Sequence, residues 1–551
     1  MLLRLLSVTL LMLLATTPLQ AQTTPRPFVL PMREAPGVGT WLLGQPYGNT
    51  IGAYLRGADW YDAGQRLHFG MDFSMECGSE LIAMADGVVM FVDDLGFGSG
   101  PHNLLIRHEA AGVIALYGHL LQRPALVPGQ QVTQGQVVAL SGDPDVTCDS
   151  RPHLHLEIRS LDYFTTYNPV EYIEANWHML ASMGSFRYPL FQQDLDNARQ
   201  WMSIDDQPPV QFGGRALNAY TATYPDWSAG LPPANPPLNR PAAPISDTWT
   251  LRRFGYEGCC PGAWWHPTDS TRLYVIDGTP NQRAAIFEWS VIDGAPVNVA
   301  GQAPPPILSP DGTHQVERRG GMVDGQILIR RLADNAEWTV ETENTLPAFS
   351  PDNTRLLWII NRIGATLPAL TEVWVSDVDG ANRRQITVEE NISAQWLDAA
   401  RLLLTRREQL TTAVSIYDTT SGESYLLGAW DWLRGLSIAP GGGRLMFYLV
   451  YSDAAGTYAI DTQPGAVAQR LPFFGSWRWR DADSVFYLPF DPAGAYHRLA
   501  YYNLATSDQR LLTTDPFLVA DGDWSVSADG RRIAFMNALN LTLSLIEESG
   551  L

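Results

Sequence analysis

Between about Pro36 and Ile173 the apolar residues come in short runs, each broken after a few positions by Gly, Asp or Pro. Gly87-Val88-Val89-Met90-Phe91-Val92, Asn103-Leu104-Leu105-Ile106-Arg107-His108 and Val137-Val138-Ala139-Leu140 are examples of strand length. Such spacing predicts an antiparallel β domain. From Glu171 to about Trp201 the pattern is compatible with helix. Between Pro208 and Pro244 prolines accumulate, which rules out helix or a central strand and predicts an extended, semi-stiff linker that positions the flanking domains without fixing them.

From about Thr248 the chain repeats itself. Trp265-His266-Pro267-Thr268-Asp269, Leu308-Ser309-Pro310-Asp311-Gly312, Phe349-Ser350-Pro351-Asp352-Asn353, Gln395-Trp396-Leu397-Asp398, Ile438-Ala439-Pro440-Gly441-Gly442, Trp479-Arg480-Asp481-Ala482-Asp483 and Val526-Ser527-Ala528-Asp529-Gly530 recur at intervals in the forties. Each is a turn followed by an apolar strand such as Arg355-Leu356-Leu357-Trp358-Ile359. Asp caps its own turn and Gly tolerates positive φ, so the anchors are turns for a physical reason. A period of about 40–45 residues with several strands per unit is that of a β-propeller blade. The unit from Trp374 to Thr387 resembles a TolB-type propeller repeat. Seven anchors predict seven blades, with six as the alternative.

At 551 residues the chain predicts two or three domains. The net charge of −21 and the scatter of the 37 basic residues, all arginine, argue against a nucleic-acid partner, which needs a concentrated basic surface. Arg4, the apolar run Leu5 to Leu14 and Pro18-Leu19-Gln20-Ala21 read as an export signal, the alternative being an uncleaved anchor. No later stretch of about 20 apolar residues predicts a membrane span. The expected location is therefore secreted or periplasmic, within the cell envelope. Export also bears on the cysteines: a Cys77–Cys148 disulfide would tie together two segments rich in candidate ligands, the alternative being two free thiols. Cys259 and Cys260 are adjacent; a strained vicinal disulfide and two thiols are both open.

Three motifs carry chemistry: His68 and Asp72 in HFGMD, His119 in YGHL, and His153 and His155 in PHLHLEI. Catalytic zinc takes three protein ligands from imidazole and carboxylate and leaves a fourth position open. His68 and Asp72 are four apart, a spacing that brings both heads together across a turn or strand end. His153 and His155 are two apart, so on a strand both project from one face. One imidazole can then bind metal while its neighbour moves protons. His119 follows another strand pattern and can approach from beside them. Tyr47, Tyr54, Trp60 and Tyr61 precede the first ligand and either line a groove or pack on the domain. The remaining histidines, His102, His108, His178, His266, His314 and His497, show no partner spacing.

HFGMD, the DGVV strand, YGHL, VPGQQVTQGQ and PHLHLEIR, in this order, closely resemble the lysostaphin/LytM-type zinc metallopeptidases over roughly Gly44 to Arg159. The resemblance implies a compact β-sheet core with the metal in a narrow groove. It implies His68, Asp72 and His155 as ligands of one Zn2+ per chain, with His119 and His153 as the unligated catalytic pair. Every matching position is kept, while the stretch from Gly142 to Ser150 replaces a shorter glycine turn and reshapes one groove wall. The expected organisation is all-β: signal peptide 1–21, peptidase domain 22–175, helical then proline-rich linker 176–247, and propeller 248–551. The expected function is a metalloendopeptidase acting on peptide cross-links of peptidoglycan, with a protein or glycan partner for the propeller. A catalytically silent module that activates cell-wall hydrolases and an extracellular protease acting on proteins are the alternatives. His153 is expected to be the general base and His119 to stabilise the oxyanion or orient water, with the two roles exchangeable. The segment Gln22 to Trp41, through Glu34, is a candidate cover for the groove.

Overall fold

A computed structural model describes most of residues 25–50, residues 67–183, most of 203–213 and, with short gaps, 242–550. The expected signal segment, Tyr54, Trp60, Tyr61, the helix-compatible residues after Met183, most of the proline-rich stretch, and Cys259 with Cys260 lie outside the described residues. No helix among the described residues is long and apolar enough to cross a membrane.

The N-terminal part is built on a nine-stranded sheet. Its strands are β1 (Trp41–Leu43), β2 (Met71–Met75), β4 (Gly87–Val92), β5 (Leu104–His108), β6 (Val113–Gly118), β7 (Gln131–Val132) and β9 (His153–Arg159), with β10 (Thr165–Tyr167) and β11 (Val210–Gln211) at one side. The small pair β3 (Glu80–Ile82) and β8 (Val137–Leu140) stands apart. The spatial order β1-β2-β9-β6-β5-β4-β7 puts β9 between β2 and β6, all antiparallel. Two-residue periodicity then divides the strands. Leu154, Leu156 and Ile158 of β9 and Met71, Phe73 and Met75 of β2 point into one core and are fully buried, worth about 2 kcal/mol each. The intervening His153, His155, Glu157, Asp72 and Ser74 line the cleft on the other face.

Seven further sheets follow, so the described residues are all-β apart from short helical turns, and the blade number is seven rather than six. Six are four-stranded in chain order, for example Ala348–Phe349, Arg355–Arg362, Leu370–Asp377 and Arg384–Glu390. The seventh joins both ends of the repeat region: Trp249–Glu257 pairs antiparallel with Thr542–Glu548, closing the ring. The anchors sit in the turn between the first and second strands, and their chemistry recurs. Ser309 Oγ donates to Asp311 Oδ1, Ser350 Oγ to Asp352 and Ser527 Oγ to Asp529, each at 2.6 Å. The next residue, Gly312, Asn353 or Gly530, has φ between 63° and 70°, which explains the preference for Gly or Asn there.

The linker was expected to leave the propeller unfixed; instead the two bodies share a core. On β1, Trp41 and Leu43 face the interior of the N-terminal domain, while Leu42 between them packs with Met446, Tyr448, Val450 and Trp477 of the propeller. Helix α1 (Trp177–Ala181) docks beside Val519–Val526. There His178 bridges Asp205 Oδ2 (2.8 Å) and Asp521 Oδ1 (3.2 Å). Alternation along a strand is what turns Leu42 away from the interior that Trp41 and Leu43 face.

Candidate metal centre and active-site cleft

Three adjacent strands bring the expected site residues together. Asp72 on β2 lies directly opposite His155 on β9, and Gly118 at the end of β6 opposite His155 on the other side. His68 stands just before β2, and His119 just after β6. His155 Nδ1 is 2.8 Å from Asp72 Oδ1, and His68 Nε2 is 3.2 Å from both. Ligands at 2.0–2.2 Å from a tetrahedral ion stand about 3.3–3.6 Å apart, a little wider than these contacts, so the convergence and the two-imidazole, one-carboxylate set suit a zinc ion. Among the described residues this is the one group of three or more His, Cys, Asp or Glu side chains with that convergence.

The outer nitrogens are held as metal-binding imidazoles usually are. His68 Nδ1 bonds the Pro46 carbonyl at 2.8 Å, and His155 Nε2 meets Glu157 Oε1 at 3.1 Å. Arg159 Nε donates to the other Glu157 oxygen at 2.6 Å. Burial alone would raise the Glu157 carboxyl, but Arg159 and His155 hold it down at about 2, so it is an anion. Burial likewise opposes ionisation of Asp72, yet His68, His153 and His155 keep it well below the usual carboxylate range. Glu157 and Arg159 stand outside the five residues expected from the motifs. The signal was present: His153, His155, Glu157 and Arg159 occupy every second position of one strand.

His119 and His153 sit beside these groups. The His119 and His153 rings are 4.8 Å apart, and His153 Nε2 is 3.7 Å from Asp72 Oδ1. Their Nδ1 atoms bond the carbonyls of Gly100 (2.5 Å) and Arg151 (2.7 Å). A carbonyl can only accept, so each neutral ring carries its proton on Nδ1 and has Nε2 as an acceptor. Burial, then neighbouring imidazole charge, pushes His119 down to about 3. Burial lowers His153 as well, against the pull of Asp72. Both rings are therefore neutral at physiological pH.

Two glycines explain why the motifs read HFGMD and YGHL. A Cβ on Gly70 would come within 2.5 Å of the Leu156 carbonyl and 2.7 Å of the His155 ring. One on Gly118 would overlap Ser99 Cβ. His119 itself has φ 55°, an uncommon backbone for a non-glycine residue that costs about 1–3 kcal/mol.

The cleft over this site has a volume of about 1390 Å³. Its walls are the 95–99 turn, the 162–164 turn, the long loop before β9, and propeller residues of the fourth and fifth blades. In that loop Asp143 accepts from Ser150 N, Ser150 Oγ and Arg151 N, and Cys148 is disulfide-bonded to Cys77. Tyr47 does not line the cleft; it is fully buried, with its hydroxyl donating to the Thr166 and Pro208 carbonyls. None of residues 25–41 lines the cleft either, because Phe28, Met32 and Trp41 are drawn into the core, and Glu34 lies on the surface. His102 pairs with Asp93, and His108 is buried against the Asp86 carbonyl; both are structural.

Comparison with known proteins agrees with this geometry. Residues 66–169 match the family model described as Peptidase family M23. An uncharacterised metalloprotease of Haemophilus influenzae is 37% identical over 92 residues, covering 17% of this chain and 18% of that protein. The chain thus matches about a fifth of that relative's length. Among solved structures, an oligogalacturonate lyase in complex with manganese is similar at 12% identity and a TM-score of 0.42, covering 56% of this chain and 96% of that one. The β-propeller domain of the trilobed protease from Pyrococcus furiosus gives 14% identity and 0.39, covering 53% and 97%. TolB from Acinetobacter baumannii gives 14% and 0.29, covering 50% and 78%. With the motif residues gathered in one cleft and the matching segment spanning all of them, residues 66–169 form a peptidase family M23 domain, here joined to a seven-bladed β-propeller.

Proposed function

We propose that this protein is an exported zinc metalloendopeptidase that hydrolyses peptide bonds in the cross-links of bacterial cell wall. The observation that carries the reading is the convergence of His68, Asp72 and His155 beside two neutral imidazoles in one open cleft. His68, Asp72 and His155 would hold a zinc ion. When bound, it polarises the scissile carbonyl and lowers the pKa of water towards neutrality. His153, neutral and with Nε2 free to accept, takes the proton of the attacking water as general base. His119 accepts the second hydrogen of that water through its own Nε2 and so orients it. It can stabilise an oxyanion only once protonated, because its single neutral-state proton is given to Gly100. Glu157 and Arg159 fix the His155 ring. The apolar run at Leu5 to Leu14 and the disulfide Cys77–Cys148 support export into an oxidising compartment. The peptidoglycan substrate rests on the family resemblance.

The test is release of peptide ends from purified peptidoglycan, with zinc content measured on the same sample. About one zinc per chain and cleavage that disappears in both His155→Ala and His153→Ala are expected. His155→Ala should also lose zinc, while His153→Ala should keep it. Zinc without cleavage of wall or of any peptide would overturn the peptidase reading and leave a binding module.

A further inference from the structure

The stretch from Gly142 to Ser150 runs directly into the segment that holds the candidate general base. His153 Nδ1 donates to the Arg151 carbonyl at 2.7 Å, and its backbone N–H donates to the Gly142 carbonyl at 3.0 Å. The start of the loop is anchored on both sides. Gly142 forms an antiparallel bridge with His153, and the preceding Ser141 forms one with Leu120, next to His119. The loop therefore leaves from between the two segments that carry the unligated imidazoles, and it returns to one of them.

Asp143 is what brings the far end back. It is only 1% exposed, and its carboxylate accepts from Asp145 N (3.3 Å), Ser150 N (3.2 Å), Ser150 Oγ (3.0 Å) and Arg151 N (2.9 Å). A carboxylate taken out of water is costly unless hydrogen bonds replace its hydration, and bonds to an ionised acceptor are the strong ones. Every donor named here belongs to residues 145–151, so the carboxylate draws the loop closed on itself. Arg151 is followed by Pro152, which confines Arg151 to extended backbone. With its N–H held by Asp143 as well, Arg151 has little freedom to turn its carbonyl away from His153. Two other ties hold the loop from outside. Cys148 is bonded to Cys77, and in the fourth blade Arg407 Nη2 donates to the Ser150 carbonyl at 2.5 Å and Gln409 Nε2 to Asp149 at 3.1 Å. Those ties end at Ser150, whereas the Asp143 bond reaches Arg151 itself. Pro144, Ser150, Arg151 and His153 line the cleft, and Asp143 lies behind them.

We propose that Asp143 is a positioning residue for the hydrolysis: it fixes the Arg151 carbonyl, and through that carbonyl the His153 ring, with the Nδ1 proton given away and Nε2 presented as an acceptor beside Asp72. Its catalytic meaning rests on the peptidase reading, in which His153 is the general base. Asp143 touches neither the reacting atoms nor the metal set, and acts on the geometry of the base alone. An imidazole free to turn about its Cβ–Cγ bond would meet the attacking water correctly for only part of the time. That loss falls on kcat and leaves substrate binding as it was.

The test compares the zinc-loaded full chain as wild type, Asp143→Asn and Asp143→Ala. Asparagine keeps the shape and one acceptor oxygen, so it retains part of the hold, and alanine retains none. Amide hydrogen exchange, read by mass spectrometry, should quicken about tenfold or more over residues 143–153 in Asp143→Ala. It should quicken less in Asp143→Asn, and not at all over Met71–Met75, which serves as the internal control. In release of peptide ends from purified peptidoglycan, kcat of Asp143→Ala should fall about 10–100-fold, with KM within about twofold of wild type. Asp143→Asn should lie between the two, and zinc should stay at about one per chain in all three. A merely structural role would show instead as lost zinc and unfolded protein, with no graded rescue by asparagine. Exchange over 143–153 that does not respond, or a kcat of Asp143→Ala within about twofold of wild type, overturns the proposal. A wild type that cleaves neither wall nor any peptide sinks the peptidase reading, and the hold of Asp143 on His153 then stands or falls on the exchange alone.

Discussion

Replacing His178 by Gln tests whether the two bodies are held together by a buried charge. His178 sits 8% exposed between Asp205 and Asp521. Burial opposes its charge, but the two carboxylates overcome this and push it from 6.5 up to about 10. At about 1.4 kcal/mol per pH unit, that span sets a ceiling of roughly 5 kcal/mol. Asp521 is itself pushed up by its burial, so part of the gain is lost there, and a net of about 2–4 kcal/mol is expected. The sign follows from the folded value lying above the unfolded one. The contribution is complete below pH 6.5 and is lost as pH rises through about 10. The assay is thermal unfolding of the zinc-saturated full chain and of His178→Gln from pH 6 to 10. The variant should melt roughly 2–4 °C lower at pH 6, and the gap should close towards pH 10. The chain contains no lysine, so no ammonium side chain titrates in that window to blur the comparison. A gap that stays constant, or widens with pH, would refute the charged bridge.

Three further outcomes follow from the site. Glu157→Gln should weaken zinc binding about 10–100-fold, measured by competition with a chelating dye, because it removes the anion that fixes His155. Cys77→Ser should cost up to roughly 4 kcal/mol on loop-closure grounds, the bridged residues being 71 apart; denaturant unfolding with and without reductant would show the wild type falling to the variant's level. Gly118→Ala should destabilise by about 1–3 kcal/mol and lower kcat while zinc content is preserved, since the added methyl meets Ser99 beside His119.

The parts of this molecule legible in the sequence are those written in local spacing. Turn anchors in the forties gave the propeller, and the seventh sheet follows from the seventh anchor at Val526–Gly530. The five site residues lie within motifs short enough to read directly, and period 2 placed His153 and His155 on one face. Glu157 and Arg159 obey that same period, but a carboxylate and a guanidinium on a strand read equally well as a solvated face, and only their contacts with His155 and with each other mark them. Tyr47 was balanced between groove and core, and only its two distant carbonyl acceptors decide for the core. The contacts that Arg407 and Arg434 make with Ser150 and Ser74 had no sequence signal at all, since they depend on a docking between bodies more than 250 residues apart along the chain. The neutral tautomers of His119 and His153 are equally invisible, being set by backbone carbonyls of other loops.

The strand Thr542–Glu548, which latches onto Trp249–Glu257, has a temporal meaning as well as a spatial one. A ring closed by its last strand cannot be finished before that strand has been synthesised and delivered. The M23 domain, within residues 66–169, emerges long before it, whereas the cleft wall from the fourth and fifth blades belongs to a ring not yet shut. During synthesis the residues His68, Asp72 and His155 can therefore come together while the cleft above them is still missing one side. Arrival of the strand Thr542–Glu548 is the event that completes the cleft.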